Sequence, residues 1–367
     1  MQNNTPNKAT TQQTPRIPHN RLTFDQTEVS AVSEVVASGY WAGGPRLNAL
    51  EDTLKQCADI DHAIGVASGL SALRLVLKGL GIKAGDEVIV PAYSCVALPA
   101  AATALGATAV PVDICHKDWN LDAKAAANVI TSKTKAVITV NTFGAPASIE
   151  DLKAFEFPII EDCAHGFGLQ VKDGVLGSRS GLSILSFYAT KLIGAGEGGA
   201  VLTDDAELAA FIRDWRDYGD QPLDATRLND KMNDLEAALA LAQLQRLDDM
   251  LHARQRLADR YQACLSALPG HGKVFQLPPF SRERVWYRYV VDVCDISAET
   301  LIERLDQQGI HAEKPVTDWR TDNSNCPVSD HAYAHLVSLP LYPTLTEAEQ
   351  DRVCEAFSRT LEEFAHV

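Results

Sequence analysis

From Tyr40 to about residue 215 the chain switches repeatedly between two periods. Short apolar runs end in turn residues, and helical spacing follows them. The runs Ala63–Ala67, Glu87–Pro91, Thr108–Val112, Ala136–Val140 and Pro158–Glu161 read as strands. Leu73, Val76, Leu77 and Leu80 stand at i, i+3, i+4 and i+7, the apolar stripe of a helix. Strands this apolar must be covered on both faces. Their alternation with helices predicts an α/β fold, a mostly parallel sheet with helices on both sides. Such a sheet also limits where chemistry can sit, because ligands bind outside the carboxyl ends of its strands.

A chain of 367 residues is long enough for two domains. The second has a different texture. One long Leu- and Ala-rich helix is expected from about Asp230 to Leu268, broken by Pro269–Gly270. An alternating run, Trp286 to Cys294, follows. Next come a helix around Leu301, Ile302 and Leu305 that stops at Gly309, and a last helix opened by Thr346 and Glu349 in capping-box spacing. The expected division is a flexible tail over 1–16, a large cofactor-binding domain over 17–245 and a smaller α+β domain over 246–367.

Composition narrows the function. The net charge of −15 disfavours nucleic acid and anionic membrane surfaces as general partners. No apolar run is long enough to span a bilayer, and the polar start lacks the apolar stretch of a secretion signal. The eight cysteines are scattered without a C-x-x-C pair, so they read as reduced thiols of a cytoplasmic protein, not as a zinc or disulfide framework. Histidines such as His62 and His116 have no partner at metal-ligand spacing and read as structural, and no metal is expected.

Three segments carry chemistry. The first runs from Ser186 to Gly199, between a strand at 182–187 and another at Ala200–Thr203. Most lysines are surface residues, but Lys191 precedes a loop with glycine at 194, 196, 198 and 199, which lets backbone and ligand approach closely. An amine held in a partly dry site loses its proton more readily and can form a Schiff base. Gly194, Gly196 and Gly199 also match G-x-G-x-x-G, but the run feeds a strand and not a helix, which excludes a dinucleotide fingerprint. In the second segment, Pro158 to His165, a strand ends in Glu161 and Asp162. Asp162 could pair with a cationic ring nitrogen or simply cap a helix. In the third, Ser68-Gly69-Leu70-Ser71 leads a strand into a helix whose free N–H groups could hold a phosphate. The alternative there is capping by Ser68. Lysine, aspartate and phosphate cup together are what pyridoxal 5′-phosphate requires.

The chain resembles the DegT/StrS family of pyridoxal-phosphate enzymes, sugar aminotransferases of the aspartate-aminotransferase fold. The resemblance runs from about Ile17 to Phe364. It rests on Ser68-Gly69 with Ala72-Leu73, Gly85 to Pro91, Gly106-Ala107-Thr108, Ile160 to His165, the Lys191 segment, Asn229 with Met232 and Leu235, and Ser338 to Pro343. It implies that Lys191 carries the cofactor as a Schiff base and shuttles a proton, and that Asp162 bridges the pyridine nitrogen. Ser186, Ser71 and the backbone at Leu70 would bind the phosphate. Asn229 would reach the phosphate of a neighbouring subunit, which makes a homodimer with its site at the interface. His165, where the family often has glutamine, would donate to the phenolic oxygen and could titrate near neutral pH. Cys95 takes the place of the aromatic residue that usually stacks on the cofactor. Tyr93 would share its face and compensate if the segment is extended. Leu70 replaces a threonine. Trp41-Ala42-Gly43-Gly44 and Glu313-Lys314-Pro315-Val316 stand where the substrate loops differ from the family pattern, and Trp41 could pack on substrate or anchor the core.

The implied reaction moves an amine, by family habit from glutamate, to a keto-sugar that is typically nucleotide-linked. Two alternatives stand beside it. Dehydratase relatives usually have histidine at the Lys191 position. A non-catalytic sensing or scaffold protein would not need Lys191, Asp162, Ser186 and Asn229 together.

Overall fold

The computed structural model describes residues 15–218, 224, 226–294, 296–321 and 324–365. All but the last two residues of the expected N-terminal tail lie outside them. The chain begins with helix α1 (Gln26–Ser38) and α2 (Pro45–Ala58), then strand β1 (His62–Val66), α3 (Gly69–Gly79), β2 (Glu87–Pro91), α4 (Ala97–Thr103), β3 (Thr108–Val112), α5 (Ala123–Ala127), β4 (Thr134–Val140), α6 (Ile149–Leu152) and β5 (Ile159–Asp162). A small ribbon, β6 (Gln170–Val171) and β7 (Gly174–Val175), precedes β8 (Leu182–Ser186), β9 (Gly199–Thr203) and α7 (Ala206–Trp215).

Seven strands form one sheet in the order β1-β9-β8-β5-β4-β2-β3. Only β9 runs against its neighbours, β1 and β8; the pairs β8–β5, β5–β4, β4–β2 and β2–β3 are parallel. Alternate side chains serve opposite faces. Ile64, Val66, Ile184 and Val201 pack with α3, α4 and α7, whereas Ala63, Leu185, Ala200 and Leu202 pack with Leu47, Leu50, Ala237 and Ala240 on the other side. Burial of the sheet on both faces is what the near-continuous apolar runs require.

The expected single helix after residue 230 is two, α8 (Asp234–Leu244) and α9 (Leu247–Ser266), broken at Gln245–Arg246. Polar anchors to the N-terminal segment hold the break. The Gln243 amide donates to Thr23 O, and Arg246 Nη1 bonds Glu28 Oε1 at 2.9 Å. At the other end of α8, buried Asp234 accepts the N–H groups of Gly44 (2.6 Å), Arg46 (2.8 Å) and Leu47 (3.3 Å), capping α2, which has no side-chain cap of its own.

The rest comprises β10 (Tyr289–Asp292), α10 (Ala298–Gln307), α11 (Pro327–His335), β11 (Leu336–Leu339) and α12 (Glu347–Ala365). Strands β10 and β11 pair antiparallel. A second apolar core joins them to α9, α10 and α12 through Tyr261, Trp286, Tyr289, Leu301 and Phe357. Ile17 belongs to this core and bridges Ile310, so the described chain starts among C-terminal elements before it enters the sheet. The capping box of α12 is formed: Thr346 N donates to Glu349 Oε2 (2.9 Å), and Glu349 N donates to Thr346 Oγ1 (3.2 Å).

Candidate active site

The parallel topology gathers the ends of β1, β2, β5 and β8, with the start of antiparallel β9, at one sheet edge. A cavity of about 710 Å³ opens there. Leu70, Cys95, Asp162, His165, Ser186 and Lys191 all line it. Ser71 lies just behind, its Oγ 3.1 Å from Ser68 Oγ, and Ser68 caps α3 by accepting from Ser71 N at 3.0 Å. Capping by Ser68 does not exclude an anion cup, since one cap leaves other N–H groups of the first turn free. Asn229 is exposed and does not line its own chain's cavity. It adjoins Asp230, whose carbonyl accepts from Ala67 N at 2.8 Å beside the end of β1.

Glycine makes the cup. A Cβ on Gly69 would come within 3.0 Å of Ser186 Cβ, and one on Gly199 within 2.5 Å of the Ser68 carbonyl carbon and 2.7 Å of Leu185 O. Only backbone without side chains allows β8, β9 and the start of α3 to approach this closely. The connection from Ser186 to Gly199 places Lys191 over the cavity, with Nζ 5.3 Å from the centre of the Tyr287 ring. Among the described residues Nζ has no hydrogen-bonded partner. The dinucleotide motif is absent structurally as well, because Gly199 opens strand β9.

Asp162 is buried and accepts one backbone bond, from Ala164 N at 2.9 Å. Burial pushes its carboxyl above the usual range, against the pull of that N–H and of Lys191. A cationic ring nitrogen is the kind of partner that would relieve this cost. The neighbouring residue is anchored on the other side of the strand. Glu161 points to the opposite face, where Arg179 Nη2 meets it at 2.6 Å and Asn141 Nδ2 at 2.9 Å; both charged side chains are almost fully buried.

His165 corrects one expectation. Its ring lies between Tyr287 (centroids 4.5 Å apart, 13° between planes) and Phe143 (5.9 Å, 18°). Burial, helped by the positive charges of Lys191 and Arg288, lowers its pKa well below the ordinary imidazole value. It therefore stays neutral across the physiological range and does not titrate near pH 7. The Phe143 N–H donates to Nδ1 at 3.4 Å, which leaves the proton on Nε2, free to be donated. The linkage sign follows. Below about pH 6.5 the unfolded chain takes up a proton that the folded one refuses, so stability falls as pH falls, by at most about 1.4 kcal/mol per pH unit from this group. Urea midpoints of cofactor-free protein at pH 7.5 and 5.5 should differ more for wild type than for His165→Gln. An equal difference would count against a neutral buried imidazole.

Tyr93 is not on an extended segment. Residues 92–94 bend, and the ring turns into a small core with Phe143 (6.2 Å) and Tyr333 (4.8 Å), both edge-on. Tyr93 still lines the cavity, beside exposed Cys95.

Sequence reasoning missed several residues of the cavity wall that come from the chain beyond α9. Tyr287, Arg288, Asp318 and Trp319 all line the cavity. Burial raises the Tyr287 phenol, but Lys191, Arg288, the Thr190 hydroxyl and Arg254 outweigh it, and the net shift is downward. Arg288 Nη1 is buried without a hydrogen bond, its nearest carboxylate Glu313 at 3.8 Å. The alternating run 286–294 was the available signal, but alternation marks a strand without saying what its polar face meets.

The chain belongs to the DegT/DnrJ/EryC1/StrS aminotransferase family, whose model matches residues 23–358. Solved structures agree. DesV of S. venezuelae, in complex with a ketimine intermediate, is 31% identical, with 95% of this chain and 99% of that chain covered and a TM-score of 0.86. A family aminotransferase from Brucella abortus is 28% identical over 92% and 95% of the two chains (TM-score 0.82). NtdA of Bacillus subtilis, with bound cofactor PMP, is 26% identical over 96% and 87% (TM-score 0.87). This chain is a pyridoxal-phosphate-dependent aminotransferase.

Proposed function

We propose that this aminotransferase moves an amino group from glutamate to the keto group of a sugar in amino-sugar biosynthesis, using a homodimer with its sites at the subunit interface. The observation that carries the reading is the joining of Lys191, Asp162, His165, Ser186 and the glycine-lined start of α3 on one cavity. Bound pyridoxal phosphate supplies an aldehyde that holds an amine covalently and a ring that withdraws electrons from it. Ser186, the Ser71 hydroxyl and the Leu70 N–H would hold its phosphate. Asp162 would keep a proton on the ring nitrogen, and His165 Nε2–H would donate to the phenolic oxygen. Lys191 Nζ would take and return the proton at the carbon bearing the amine, a role a released amine can fill in both halves of the reaction.

The dimer reading is supported by exposed Asn229 outside its own cavity and by the exposed apolar side chains of the N-terminal segment, Leu22, Phe24, Val29 and Val36. A large unit to residue 245 and a smaller one from 246 fit the helix break between α8 and α9. No described helix is long and apolar enough to cross a membrane, and a cytoplasmic location fits the scattered free cysteines.

The test is spectral and chemical. Cofactor-loaded protein should show a visible absorbance band that glutamate bleaches. A panel of keto-sugars, free and nucleotide-linked, should restore it with amine in the product. Loss of water from sugar without amine transfer would replace this reading with a dehydratase. Failure to bind the cofactor at all would replace it with a non-catalytic protein.

A further inference from the structure

Far along the chain from the motif segments, the fold brings together three side chains that the sequence keeps apart. His116 lies on the segment after β3, Asp292 ends β10, and His331 stands in α11. One ligand atom from each lies within 4.8 Å of the other two. We propose that His116, Asp292 and His331 form a site for a divalent late first-row transition metal such as Zn²⁺, Co²⁺ or Ni²⁺, which ties the sheet-bearing core to the β10–β11 unit.

The donor set is two imidazoles and a carboxylate, which suits borderline cations and falls short of the oxygen-rich shell that Ca²⁺ or Mg²⁺ requires. Much of the geometry is already in place. His331 Nε2 is 2.9 and 3.0 Å from the two Asp292 oxygens. Ligands about 2.0–2.1 Å from one ion lie roughly 2.9–3.4 Å apart, so this spacing serves a shared metal as well as it serves an ion pair. Asp292 is buried, and Cys294 N donates to its Oδ1 at 2.9 Å, which orients the carboxylate. His335, one turn on from His331, lies against it with ring centroids 4.7 Å apart and planes tilted by 33°, and is itself anchored through Nδ1 to Ile296 O at 2.8 Å.

His116 is the piece that an ion pair alone does not need. It is exposed, and it makes no hydrogen bond among the described residues. Its ring lies 5.8 Å from that of His331. It closes on Asp292 across a small cavity of about 130 Å³, which Gln276 also lines. Lys117 lines the same cavity and is the cation with which a metal must compete.

The position sets the consequence. Beside it, Asp113 of the segment after β3 accepts from Val328 N (3.0 Å), Ser329 N (2.8 Å) and Ser329 Oγ (2.7 Å) at the start of α11. The two cores already meet here through hydrogen bonds. A metal with one ligand from the β3 segment and two from the β10–α11 side would lock the same seam, and a ligand that binds only the folded chain stabilises it.

The test is Zn²⁺ titration of full-length, cofactor-loaded protein by calorimetry at pH 7.5, comparing wild type with His116→Ala. Because His116 is exposed and unbonded, its removal should leave the metal-free melting temperature unchanged. Thiol and cofactor background is common to both proteins, so their difference isolates the site. Wild type is expected to bind one Zn²⁺ per chain at least tenfold more tightly than H116A, and Zn²⁺ should raise the melting temperature of wild type only. His331→Gln, which can still hydrogen-bond Asp292, should lose the same binding event. Indistinguishable isotherms for wild type and H116A, or binding that survives in H331Q, would overturn the proposal.

Discussion

Lys191→Ala protein should fold, bind pyridoxal phosphate without a covalent link, and transfer amine on the order of 10²–10⁴-fold more slowly than wild type, the usual range for a lost acid–base group. The side chain stands on a connection whose course is set by backbone: Ala195 N donates to Phe187 O at 2.8 Å, and Ala189 N donates to Gly196 O at 3.0 Å. Removal of an amine that has no hydrogen-bonded partner among the described residues should therefore leave the stability of the cofactor-free protein within about 0.5 kcal/mol of wild type. Borohydride reduction followed by mass analysis of the 191 peptide should find the cofactor on wild type and not on the variant. Comparable rates for the two proteins would remove Lys191 from the chemistry.

Arg179→Met should cost about 3–5 kcal/mol, because it strands the Glu161 carboxylate in the interior. The guanidinium donates to Glu161 Oε1 from Nε (3.0 Å) and Nη2 (2.6 Å), to Asn141 Oδ1 (2.8 Å) and to Ala147 O (2.8 Å). Glu161 Oε2 is buried and finds no donor among the described residues, so little remains to compensate for the lost cation. The network stands behind Asp162, and the variant should also bind the cofactor more weakly. Adding Glu161→Gln removes the stranded charge and keeps the amide-sized side chain. The double variant should then recover at least about 1 kcal/mol relative to Arg179→Met alone. Strictly additive losses in urea unfolding would show that the pair is not coupled.

Both expectations involve residues that the sequence exposes unequally. Lys191 could be found because its signals are local: two strands, four glycines between 194 and 199, and a lysine ahead of them. Asp162 and Ser68 to Ser71 could be found for a similar reason. Each sits where an apolar run ends, and in a parallel sheet those ends share one edge. Arg179 carried no such mark. It lies on a loop after a two-stranded ribbon, and its value comes from a carboxylate 18 residues away that the sheet turns toward it.

The same division separates what was read correctly from what was not. Period and turn chemistry are properties of neighbouring residues, so strand positions, the α12 capping box and the stop at Gly309 (φ +78°) were legible along the chain. The break at Gln245–Arg246 was not, because both flanking segments favour helix and the interruption is held by Thr23 and Glu28, more than 200 residues earlier. His165 looked titratable because a histidine's proton affinity depends on what surrounds it. Phe143, Tyr287 and Arg288 close around it only in the folded chain. His116 showed no partner along the chain because Asp292 and His331 are its neighbours in space and not in order. Sequence alone determined the strand–helix alternation and the residues at the strand ends, since short-range sterics and burial govern both. Tertiary structure alone decided charge states, the inner wall of the cavity and the meeting of the two cores, since desolvation and ion pairing depend on groups that only folding brings within a few ångströms.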